Sequence, residues 1–164
     1  NYESVTNLRI RRLVLFVDEF MLTSLFIYID PDWAPLALRL ALGVALAFHG
    51  YPKLFKMKEQ FAGWLESLGF KPGFFWAWLV GLTEFVGGIM IAVGFLTELA
   101  ALAVCIQFLV IMAKIKWGKA PYLIMGQDSY NGWELDMIYF ASALALLFSG
   151  SGQWSLEWYL LYGY

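Results

Sequence analysis

The chain has 164 residues, 61% apolar and 19% aromatic with only 15% charged, a net charge of −2 and a mean hydropathy of +0.65. A soluble domain of this length needs more charge on its surface, so the class is integral membrane. The weak net charge excludes an electrostatic nucleic-acid binder, and a single cysteine (Cys105) with a single histidine (His49) excludes an internal disulfide, a C-x-x-C pair, a bis-histidine haem and a metal-ligand cluster.

Residues 1–33 carry the basic "RIRR" and then the apolar "LVLFVDEFMLTSLFIYI", residues 13–29. No small-x-small cleavage site comes after it, so the stretch does not read as a cleavable signal. Asp18 and Glu19 each cost ~2.5–3.5 kcal/mol at a helix centre against ~0.3–0.6 kcal/mol returned per large apolar residue, which leaves insertion close to neutral. The segment is therefore an additional N-terminal hydrophobic helix, either spanning or interfacial.

Four apolar segments come next. The first covers residues 34–51, "APLALRLALGVALAFHGY", opened by Pro35 and closed by Pro52. The second, 74–96, is entered after "KPG". The third, 97–114, begins at once, which requires a tight antiparallel hairpin. The fourth, 133–149, lies between the turn-rich "QDSYNG" and "GSG". Segments of ~17–23 residues cover roughly the 30 Å hydrocarbon core. The expected fold is all-α, a polytopic membrane four-helix bundle formed by residues 34–164. Its lysines gather in two connections, Lys53, Lys56, Lys58 and Lys71 in one, and Lys114, Lys116 and Lys119 about the other. The expected setting is the cell membrane of a prokaryote, multi-pass, with both lysine-bearing loops cytoplasmic and the C-terminus outside.

Counting turns places Glu84 ~15 Å deep and Gln107 at the same level, with Arg39 ~7–8 Å deep on the first helix. Each helix has one stripe of small and polar residues: Arg39, Gly43, Leu46, Gly50 and Lys53; then Gly81, Glu84 and Gly88; then Ala100, Ala103, Gln107 and Lys114; then Glu134, Ala141 and Ala145. Such stripes turn inward in a membrane bundle. Two polar layers result, Arg39, Glu84 and Gln107 at mid-bilayer, and His49, Lys53, Lys114, Glu134 and Asp136 at the cytoplasmic end. Three readings of Glu84 stand open: a structural tie to Arg39, a protonatable acid lining a ligand cavity, or a neutral lone acid. His49 is either an interfacial cap or a proton relay. Glu134 and Asp136 also suit the positive end of a helix dipole.

Taken together, "RLALGVALAFHGYPKLF", "LTEFVGGIMIAVGFLTELAA" and "NGWELDMIYFASALALLFSGSGQWSLE" resemble the DoxX/DoxD family of small four-helix membrane proteins. The family pattern falls on Arg39, Gly43, His49, Gly50 and Lys53, on Glu84, Gly87, Gly88, Gly94 and Thr97, and on Gly132, Trp133 and Glu134, with Gly150, Gly152, Ser155 and Leu156 at the close. Glu98 stands where such proteins often carry arginine, which weakens an anion site at that turn. The resemblance implies the membrane subunit of a quinone-linked redox complex, like that of thiosulfate:quinone oxidoreductase, with no covalently bound cofactor and a quinone as ligand. Glu84 and Arg39 are then the catalytic candidates, and His49, Lys53, Gln107, Lys114 and Glu134 the ligand-binding ones; no metal site is expected. The expected partners are the lipid bilayer and other membrane or redox subunits. The alternative is a non-catalytic scaffold or accessory subunit of a larger membrane assembly.

Overall fold

The computed structural model describes residues 30–122 and 132–163, and the segment 13–29 lies outside them. The chain divides into Asn1–Trp33 and Ala34–Tyr164, and the second unit holds the helix bundle. Among the described residues there are six α-helices and no strand: α1 Trp33–Phe55, α2 Lys58–Ser67, α3 Gly73–Val93, α4 Thr97–Val110, α5 Glu134–Ser149 and α6 Leu156–Tyr162. The protein is an all-α polytopic membrane protein. Trp33–Phe55, Gly73–Val93 and Thr97–Lys116 are long and apolar enough to cross a bilayer. With 16 residues, α5 covers about 24 Å and completes the bundle against α4.

Two boundaries differ from expectation. Pro52 does not close α1, which runs through it to Phe55. Proline removes one backbone hydrogen bond, and a helix end next to the membrane surface tolerates that loss because neighbouring groups and water re-satisfy the freed carbonyl. The extra turn keeps Lys53 helical and in phase with Gly50. Beyond Val110 the third spanning segment widens into a π-helix over Ile111–Lys116, with the Trp117 amide donating to the Met112 carbonyl at 2.8 Å.

The helix packing is antiparallel and close. A Cβ on Gly43 would lie 2.5 Å from the Gly88 carbonyl oxygen, and one on Gly88 would lie 2.7 Å from the Ala47 amide nitrogen. Only glycine permits two backbones to approach so nearly. Further along the same seam Gly50 meets the backbone of Glu84 and Phe85, and Gly81 meets Leu54. Ascending α1 thus descends α3. The α3–α4 connection turns on Gly94 at φ 72°, where the Phe95 amide returns to the Met90 carbonyl at 2.9 Å, a helix end that favours a residue without Cβ. Large apolar side chains such as Phe48, Leu99, Ile106 and Phe148 point outward, as lipid requires.

The bundle therefore has two distinct ends. The lysine face holds the end of α1, α2, the start of α3, the π turn and the start of α5; the hairpin face holds the α3–α4 turn and α6. On the lysine face α2 is a short amphipathic arm whose Ala62 and Leu65 pack on Ala77. Its Glu66 Oε1 accepts from the Gly73 amide at 2.8 Å and so caps α3, whose preceding Pro72 has no capping side chain. Replacing Glu66 with alanine is expected to destabilise the fold by ~1 kcal/mol, as loss of a helix cap does, with Glu66→Gln losing less. Thermal unfolding in detergent checks this.

Candidate functional site

Glu84 sits midway along α3, 2% exposed. Burial of a carboxylate is costly without partners, and Glu84 has two. The Lys53 ammonium donates to Oε1 and Oε2 at 2.6 Å each, and the Gln107 amide donates to Oε1 at 2.7 Å. α1, α3 and α4 each contribute one member, and the seam at Gly50 brings α1 close enough for Lys53 to reach.

Arg39 does not pair with Glu84, which corrects the expectation from turn counting. Because Gly50 rather than the middle of α1 stands at the level of Glu84, Arg39 lies about three turns, ~16 Å, further along the helix, beyond its own reach. It is 1% exposed, packs against Gly94 and Ser155, and donates from Nη2 to the Trp154 carbonyl at 2.5 Å. Its Nε and Nη1 stand buried near the hairpin face without a hydrogen-bond partner among the described residues. It belongs to the tie that holds the start of α6 to the bundle, together with the Glu157 amide donating to the Gly94 carbonyl at 2.9 Å.

Below Glu84 opens a cavity of about 1170 Å³ that extends to the lysine face. Its walls are largely apolar, with Trp64, Phe70 and Trp76 on one side and Val80, Ile106 and Ile111 on another. Leu79, Ile106 and Val110 are lining residues that are also exposed, so the cavity has an apolar rim between α3 and α4, both of spanning length.

The polar groups at the mouth differ in part from those expected. Lys116, not Lys114, makes the second ion pair, with Asp136 at 2.5 Å, and also donates to the Gly132 carbonyl at 3.0 Å. A straight helix carries the Gln107 stripe on to Lys114. In the π turn each later side chain lags that projection, so Lys114 rotates away to an exposed position while Ile115 and Lys116 rotate onto the wall. Glu134, the first residue of α5, lines the cavity. His49 is exposed yet also lines it, its ring edge against Tyr139 with centroids 5.9 Å apart. Tyr139, Lys116 and the aromatic wall escaped the sequence reading; the spacing Asp136–Tyr139 places both on one face of a helix, the one signal that pointed to the tyrosine. Among the described residues no three potential metal ligands stand together.

The arrangement can hold a flat, largely apolar molecule and present to it a buried carboxylate, an ammonium and an amide. Comparison with known proteins places these residues in a wider set. The chain is 27% identical over 128 residues to an uncharacterized membrane protein of Mycobacterium tuberculosis, covering 74% of this chain and 78% of that one. No solved structure matches. The DoxX profile matches residues 34–117, half of the chain, and that stretch carries Lys53, Glu84, Gln107 and the glycine seam that joins them: the protein belongs to the DoxX family.

Proposed function

We propose that the protein is the membrane subunit of a quinone-linked redox complex and that the cavity receives the quinone head. The observation that carries this reading is the buried Glu84 carboxylate at the inner end of an aromatic-walled cavity with an apolar rim. An apolar pocket with a few convergent polar groups is the ordinary form of a small-molecule site. Trp64, Phe70 and Trp76 offer apolar surfaces to a ring. An ammonium has three donors and a primary amide two; Lys53 directs two to Glu84 and Gln107 one, so each retains one for a ring carbonyl. The rim at Leu79 and Ile106 faces the phase that supplies a tailed quinone.

A bound quinone supplies two-electron, two-proton chemistry, with a partner redox subunit as the other party to the electrons. The task of Glu84 is to hold or release a proton beside the ring oxygen, and Lys53 steadies its charged form. Lys116 and Asp136 hold α4 and α5 together at the mouth. By the positive-inside rule the lysine face is cytoplasmic and the C-terminus lies outside.

Trp64 and Trp76 line the cavity, so a quinone analogue added to the purified chain is expected to quench tryptophan fluorescence saturably. Glu84→Gln, nearly isosteric, keeps the geometry and removes the acid. In the assembled complex it is expected to lower quinone-dependent turnover by roughly 10²–10⁴, the range for loss of a general acid–base group. A scaffold subunit predicts the opposite pair of results: no saturable quenching, and turnover unchanged by Glu84→Gln.

A further inference from the structure

Among the described residues the cavity takes most of its walls from one half of the bundle. α1 contributes His49 and Lys53, α3 contributes residues between 76 and 84, α4 and its π turn contribute from 103 onward, and α5 contributes from Glu134 to Tyr139. Most of these lie between Glu84 and the lysine face; His49, next to Gly50, stands at the level of Glu84, and Ala103 and Ile106 reach up to one turn past it along α4. The opposite halves of the same helices are filled by Leu42, Leu46, Ile91, Ala101, Val104 and Leu146, each no more than 3% exposed, in one contiguous core.

We infer that Glu84 exchanges protons and water with the lysine face alone, the hairpin face being sealed from it. This deepens the quinone reading and takes its biological meaning from it, yet it stands on packing. The groups on the open side come from every helix around the acid: Lys53 and His49 from α1, Thr83 from α3, Gln107 and Lys116 from α4 and the π turn, and Tyr139, Asp136 and Glu134 from α5. They form a polar path in which the Lys53–Glu84–Gln107 cluster and the His49–Tyr139 ring contact beside it are followed toward the lysine face by the Lys116–Asp136 pair. Water in a protein interior needs two to four polar partners, and this path offers them. On the far side the close-packed aliphatic core offers none. Polar groups resume only beyond that core: Arg39, ~16 Å along α1 from the level of Glu84, donates through Nη2 to the Trp154 carbonyl. Its Nε and Nη1, like Thr97 Oγ1, are buried and unpartnered among the described residues, at the hairpin face and across the core from Glu84. The consequence is directional: protons taken up or released at Glu84 are drawn from one compartment.

The test reads water access and needs no quinone. In the full-length chain with its buried Cys105 replaced by serine, Gln107→Cys places a thiol beside Glu84, and Lys71→Cys in a separate sample marks the lysine face. Sealed vesicles of each orientation are treated with a charged, membrane-impermeant thiol reagent. Gln107→Cys is expected to react roughly tenfold or more faster when the face marked by Lys71→Cys is outward, thiol reactivity tracking access. Faster or equal reaction from the hairpin face overturns the inference, and so does no reaction from either face. Should Gln107→Cys fail to fold, Tyr139→Cys, which lines the same cavity, replaces it under the same criteria. A second measurement tracks the infrared carboxyl band that Glu84→Gln removes, while one side of oriented proteoliposomes is acidified. Response to the lysine side supports the inference; response to the other side, or to neither, defeats it. One-sided labelling without quinone binding leaves the inference standing and the quinone reading fallen.

Discussion

Lys53→Met is expected to destabilise the protein by about 3–5 kcal/mol, the loss incurred when one partner of a buried ion pair is removed and the other stays behind. The volume change is small and methionine fills the apolar part of the lysine stem, so the effect is electrostatic. Glu84 has two charge-assisted bonds of 2.6 Å from Lys53 and one of 2.7 Å from Gln107; with the first two gone, a neutral amide alone faces a carboxylate that is 2% exposed. Lys53→Met combined with Glu84→Gln removes both charges and leaves two amides able to bond across α3 and α4. The double variant is therefore expected to recover most of the loss, giving a coupling of about 2 kcal/mol or more, since such cycles isolate the pairwise term. Thermal or denaturant unfolding of the four proteins in one detergent supplies the cycle. Additive losses would show that Lys53 and Glu84 do not depend on each other.

The helices, and the inward faces of α1 and α3, were legible in the sequence because composition and period specify them. Apolar runs of spanning length, punctuated by Pro35, the "KPG" turn and the "GSG" turn, located the four principal helices to within a few residues. The glycine stripes of α1 and α3 named the faces that meet, but the stripe read on α5 was wrong: Ala141 and Ala145 are exposed, and Asp136, Ala143 and Leu146 are the buried residues there. What the sequence did not contain was the axial stagger between helices. Counting from helix ends assumes that midpoints align, and α1 is displaced so that Gly50 stands opposite Glu84. That displacement exchanged Arg39 for Lys53 as the partner of the acid. The π turn was equally hidden, since "IMAKIK" has no residue that distinguishes it from ordinary helix, and it exchanged Lys114 for Lys116. The short arm α2 was read as connection because its ten residues carry a mixed pattern, and only its docking on Ala77 reveals the face it buries.

The same seam yields a second large effect, and a contrast that separates packing from helix propensity. Gly50→Ala would push a Cβ into the Phe85 amide and to within 2.9 Å of the Glu84 carbonyl carbon. Both are backbone atoms, so no rotamer change relieves the contact and α1 must move off α3. Overpacking of this kind costs about 1–3 kcal/mol, and here the movement also draws the Lys53 ammonium away from Glu84, which adds part of the loss expected for Lys53→Met. Gly87, also buried on α3, has nothing among the described residues within 4 Å of where its Cβ would lie. Gly87→Ala is thus expected to be neutral or to stabilise by up to about 1 kcal/mol, the helix-propensity gain of alanine over glycine. Unfolding of the two variants side by side in the same detergent gives opposite signs if helix approach governs the site. If Gly50→Ala proves as mild as Gly87→Ala, the close contact at Gly50 does not set the distance between Lys53 and Glu84, and the cluster must be held by α4 through Gln107 instead.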